Sequence, residues 1–207
     1  MAILTFPDDL LPSGAMFGLQ SNTESFTSPL NRATQTVERP GALWRARLTF
    51  STLSEPQQRR LKALLAALNG MAGRLYLWPH GTPAAAIVAA RPELAGAAAP
   101  QVNGALSDFR LLPSRAWPAA TLVLRAGEFI AAGGELKLVT ADVTSDAAGL
   151  AQIPVAPPFR RAPADRSSIA LDKPKALMRP ASDTWEFVST AAWRHETFAV
   201  DFIEVPA

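Results

Sequence analysis

The chain contains no cysteine, which removes disulfides, thiolate nucleophiles and zinc–thiolate centres at one stroke. It has only two histidines, His80 and His195, far apart in sequence and neither opening a metal-ligand spacing. A charge excess is missing too: 20 Lys and Arg stand against 18 Asp and Glu, so a net charge of +2 gives no general drive toward nucleic acid. Local basic clusters have to be judged separately. Long apolar runs are absent, because "GTPAAAIVAARPELAGAAAP" is broken by Arg91, Pro92 and Glu93 well short of a membrane span. The opening "MAILTFPDDLLPSGAMF" lacks a basic n-region and is interrupted by Pro7 and Pro12, so no signal peptide is expected. No P-loop, Gly-x-Gly-x-x-Gly or Gly-x-Ser-x-Gly elbow occurs, and the phosphate-cradling and serine-nucleophile mechanisms lose their anchors.

What remains is a chain of 207 residues, 48% hydrophobic and 18% charged, too apolar for a disordered segment and long enough to bury a core. Its most legible stretch is "STLSEPQQRRLKALLAALNGMAG", residues 51–73. Ser54 suits an N-cap, Gln57 completes a capping box and Pro56 falls in the first turn, where a missing N–H costs least. Leu61, Leu64, Leu65 and Leu68 follow i, i+3, i+4, i+7, and Asn69-Gly70 supplies the stop. The spacing predicts one amphipathic helix, with Arg59, Arg60 and Lys62 on solvated faces.

Elsewhere the periodicity is two. Trp44, Ala46, Leu48 and Phe50 alternate with Arg45, Arg47, Thr49 and Ser51, which predicts a strand with one core face. Arg39-Pro40-Gly41 reads as the turn of a hairpin whose first arm carries Thr34, Thr36 and Val37, and this hairpin, residues 31–52, is a candidate docking arm. "RLYLWPH" follows the helix as a strand. Residues 82–120 read as irregular connections with short strands such as "DFRLL". Strand signals return in "TLVLRAGEFIAAGGELKLVTADV", "AQIPVAPPFR", "SSIALDKPKALMRP", "TWEFV" and "TFAVDFIEV". The prolines at 154, 157, 158, 163, 174 and 180 point to edges and turns rather than central strands.

The candidates for chemistry are thin. Asp142 and Asp146 do not supply the alternating oxygen ligands of a calcium loop and fit Asx turns better. Glu128 and Glu135 read as isolated carboxylates beside glycines. No catalytic, cofactor or metal residue is assigned, and an enzyme would have to use His80 or His195 as its base. The five tryptophans read as core, although Trp117 beside Arg115 hints at a sugar platform.

The hairpin–helix–strand order, "GRLYLWPHG" and "LRAGEFIAAGGELKLVTADVTSDAAGLAQIPVAPPFRRAP" together resemble the distal tail and minor tail proteins of long-tailed bacteriophages, over roughly residues 20–207. The carrying positions are Gly127-Glu128-Phe129, the run "V-x-x-D-V-x-x-D-x-x-G-x-A-x-I" from Val139 to Ile153, and Pro157 to Arg160. The resemblance implies a mainly β fold, a tail-tube-like β-sandwich or split barrel with one flanking helix. It further implies a ring-forming domain of residues 1–81 with 184–207, and an inserted oligosaccharide-binding or galectin-like β-domain of residues 82–183. It implies a non-enzymatic virion protein without cofactor, made in the host cytoplasm. Such a protein would form a homo-hexameric ring that joins tail tube to tail tip, with DNA as cargo in the lumen. Thr34, Thr36, Val37, Arg45 and Arg47 would contact the neighbouring subunit. The alternatives are another tail-tube or tail-tip adaptor, or a carbohydrate-binding module using Trp117 and Arg115.

Overall fold

The computed structural model describes residues 3–51, 53–81, 86–91, 94, 99–187 and 197–206. Along the chain run β1 (Ile3–Thr5), β2 (Gly14–Gln20), β3 (Thr23–Thr27), β4 (Thr34–Glu38), β5 (Leu43–Phe50), helix α1 (Glu55–Leu68) and β6 (Arg74–Leu77). A short helical turn α2 (Ile87–Ala90) leads to β7 (Gln101–Val102), β8 (Leu111–Arg115), β9 (Leu122–Leu124), β10 (Phe129–Ala132) and β11 (Glu135–Val139). Then come β12 (Val143–Thr144), β13 (Ala151–Ala156), β14 (Ala176–Pro180) and β15 (Phe198–Glu204). The fold is mainly β, consistent with a sandwich flanked by one long helix. No helix among the described residues is long and apolar enough to cross a membrane.

Six strands form a curled half-barrel in the order β1-β6-β14-β15-β5-β2, and α1 covers its inner face. The alternation seen in sequence explains the packing: Trp44, Ala46, Leu48 and Phe50 of β5 point inward with Phe198, Val200 and Phe202 of β15. Against them lie Leu61, Leu65 and Leu68 of the helix. The helix begins as expected, with the Ser54 N–H donating to Gln57 Oε1 at 3.0 Å, and ends at Asn69 in the left-handed region at φ 52°.

A second sheet, β10-β11-β13-β8-β7, closes its own core around Ile130, Leu112, Val139 and Ile153. The turn between β10 and β11 is Gly133-Gly134 at φ 59° and 80°, the paired positive φ that a two-residue hairpin loop demands. The chain leaves the half-barrel after β6 and re-enters it at β14, ahead of residue 184. The segment "TWEFV" is not a strand over its described residues, 184–187; Phe187 instead stacks on Phe198 with centroids 4.0 Å apart.

Two prolines expected at edges sit in strands with neighbours on both sides. Pro154 lies in β13 between β11 and β8, and Pro180 in β14 between β6 and β15. Each falls where pairing on one side stops: β13 pairs β8 through Pro154 and β11 from Val155, and β14 pairs β6 only through Met178. The missing N–H therefore costs no ladder bond.

The two cores meet through polar and aromatic contacts. Trp44 donates its indole N–H to the Leu136 carbonyl at 2.8 Å and meets the Phe129 ring edge-on. Arg160 grips Glu204 with both guanidinium nitrogens, at 2.8 and 2.9 Å, and donates to the Ala42 carbonyl at 2.7 Å.

Candidate functional site

Among the described residues the most exposed organised feature is an arm. β2 and β5 pair as the base of one long hairpin, Gly14 opposite Thr49 to Gln20 opposite Leu43, and β3 and β4 continue it from Thr23 opposite Glu38 to Thr27 opposite Thr34. Thr34, Thr36 and Val37 thus pair with the upstream strand β3, not with β5 as the turn signal at Arg39-Pro40-Gly41 suggested. That signal marks an irregularity: residues 39–42 face only residues 21 and 22, Gly41 sits at φ 114°, and Asn22 Nδ2 donates to the Pro40 carbonyl at 2.7 Å. Proline without an N–H and glycine with positive φ kink the strand rather than reverse it.

The true reversal is residues 28–33, where Ser28 N–H donates to the Ala33 carbonyl and Arg32 N–H to the Ser28 carbonyl, both at 2.9 Å. Arg32 takes φ 56° to close it.

Both five-residue strands of the arm are exposed throughout. Register divides the side chains into two faces. One carries Thr23, Ser25, Thr27, Thr34, Thr36 and Glu38, with the Thr27 and Thr34 hydroxyls 3.2 Å apart. The other carries Glu24, Phe26, Gln35 and Val37, so Phe26 and Val37 are diagonal neighbours at 65% and 56% exposure. Leu30 at the tip is 95% exposed. Of the residues singled out from sequence, Val37 therefore shares the apolar face and Thr34 and Thr36 the hydroxyl face. Phe26 and Leu30 were missed because β3 was not recognised as the partner strand, although "TESFT" and the Ser28-Pro29 turn carried the signal.

Two ion pairs steady the arm's root: Arg39 with Glu24 at 2.7 Å, and Arg110, in the turn before β8, with Glu38 at 2.7 Å. Arg45 and Arg47 lie elsewhere, on the outward face of the half-barrel.

The sugar platform is corrected by burial. Trp117 is 6% exposed and its indole N–H donates to Ser114 Oγ at 2.8 Å, so the ring belongs to the second core and offers no open face to a sugar. Arg115 turns toward Asp165, 3.8 Å away. The carboxylates read as isolated are partnered too. Glu128 pairs with buried Arg91 and accepts from the Arg125 N–H, while Glu135 pairs with Lys137 at 2.6 Å. Lys137 is 0% exposed, and burial pulls its pKa down. The Glu204 carboxylate, by contrast, raises the pKa of Arg160.

Asp146 Oδ1 accepts from the Ala148 and Leu150 N–H groups, both at 2.8 Å, the Asx-turn role expected of it. His195 lies outside the described residues. His80 is 3% exposed, stacks on Trp78 at 4.0 Å between centroids and donates from Nδ1 to the Trp78 carbonyl at 2.7 Å. Burial pushes its pKa down to about 4, so it is a neutral core ring at pH 7.

A search of protein-family models and of curated proteins finds no match to this chain.

Proposed function

We propose that the protein is a structural subunit of a phage tail, a distal tail ring protein that joins tail tube to tail tip by self-assembly. The observation that carries this reading is the arm. A two-stranded ribbon wetted on both faces is marginal on its own, and this one presents Phe26, Val37 and Leu30 to water. A second copy of the chain that buries this face would satisfy both the apolar side chains and the free strand edges. Where that face docks on a different surface of the next copy, the contact is heterologous and generates a closed ring when the rotation closes. A half-barrel with one helix on its inner side fits such a subunit, and the resemblance read from the sequence supplies the hexamer, the virion location and the neighbouring tail proteins.

The experiment is negative-stain imaging of the purified protein. Rings of six copies with an open centre support the proposal; particles of single-chain size at every concentration, alone and with tail-tube protein added, refute it.

A further inference from the structure

The outward face of the half-barrel collects charge that the sequence scatters. Register places Arg45 of β5 and Arg179 of β14 on either side of Ile203 in β15. Arg47 stands beside Asp201 one step along the same face. Neighbouring strands are about 4.8 Å apart and alternate residues about 7 Å apart, so the three guanidinium stems form a triangle with sides of about 7, 10 and 12 Å.

Within it lies a depression of about 520 Å³, walled by Met16, Ile203 and Gly18. A side chain added at Gly18 would meet nothing within 4 Å, so glycine keeps that wall open. Among the described residues the only carboxylate in the lining is Asp201, whose contact with Arg47 is long at 3.8 Å and exposed on both sides. Arg45 has no carboxylate partner among the described residues, and Arg179 donates only to the Pro180 carbonyl at 3.0 Å. A chain of net charge +2 thus places three arginines against one carboxylate in a single patch.

We infer that this face binds the phosphate backbone of a nucleic acid, with Arg45, Arg47 and Arg179 as the contacts. Arginine is suited to phosphate by its fork of donors. Phosphates along one DNA strand advance about 3.4 Å each along the helix axis, so the triangle spans two or three of them. The rest of the lining is Met16, Gly18, Ala46, Ala181, Phe202 and Ile203, which holds no amide or hydroxyl side chain to read a base edge. The contacts inferred are to phosphate, which carries no sequence information of its own. The inference is independent of ring assembly, because the patch is complete within one chain.

The test is fluorescence anisotropy with a short labelled DNA duplex across a salt series. Three phosphate contacts predict a slope of log K against log salt of about −2.7, and Arg45→Ser with Arg179→Ser lowers it to about −0.9. Arg59→Ser with Arg60→Ser on the exposed helix face leaves it unchanged. Circular dichroism checks that each variant is folded. Absence of duplex binding at low salt, equal loss in the helix variants, or binding of polyglutamate in place of duplex would each overturn the inference, the last by assigning the face to an acidic protein.

Discussion

Replacing Arg160 with Met removes the cation that fastens the second sheet to the half-barrel. Its guanidinium makes two bonds to Glu204 and one to the Ala42 carbonyl, and Glu204 itself is 6% exposed with a further bond from the Trp44 N–H at 2.9 Å. Arg160→Met therefore strands a buried carboxylate, a change that costs about 3–5 kcal/mol. Against a typical total of about 5–15 kcal/mol, that is a large fraction of the fold's stability. Removing the charge as well separates desolvation from packing. In the double variant Arg160→Met with Glu204→Gln, the amide oxygen still accepts from Trp44 while no unpaired charge remains, and about 2 kcal/mol of the loss returns. Urea titrations followed by circular dichroism and tryptophan fluorescence measure both. A single variant within 1 kcal/mol of the parent, or a double variant no better than the single, would refute the claim that this pair holds a desolvated junction.

Two further outcomes follow from buried geometry. Because the fold depresses the His80 pKa from 6.5 to about 4, it favours the neutral ring. That stability is full above pH 6.5 and is lost as pH falls through the window down to about 4, up to about 3 kcal/mol in all. Urea midpoints at pH 7 and pH 4.5 should differ less in His80→Phe than in the parent; an unchanged difference would contradict the assignment. Gly73→Ala places its Cβ 2.1 Å from the Leu68 carbonyl oxygen and 2.6 Å from Leu68 Cα, backbone atoms that cannot step aside. A loss of about 3 kcal/mol or more in thermal or urea unfolding is expected, and a neutral substitution would mean the helix end is not packed as described.

The helix and the β5 and β15 strands were legible because local signals and tertiary packing agree there. The Ser54–Gln57 cap, the leucine stripe and the inward Trp44, Ala46, Leu48 and Phe50 each bury one face against one core. The arm was legible as an arm but misregistered. Arg39-Pro40-Gly41 has a turn's composition, and only long-range pairing of β2 with β5 shows that it is a kink. Burial of Trp117, and the pairing of Glu128 with Arg91 and of Glu204 with Arg160, depend on partners many residues away, so no local window contains them. The arginine patch was invisible for the same reason: Arg45 and Arg179 become neighbours only when β15 is laid between β5 and β14.

Light scattering of the purified protein shows whether the apolar face of the arm joins copies of this chain. A mass that is a multiple of 22.1 kDa is expected for the parent, and a single-chain mass for Phe26→Asp with Val37→Asp. Thr34→Ala with Thr36→Ala, on the opposite face, should leave the assembly intact. A parent that stays at 22.1 kDa at high concentration, or assembly untouched by the Phe26 and Val37 changes, would contradict joining through that face.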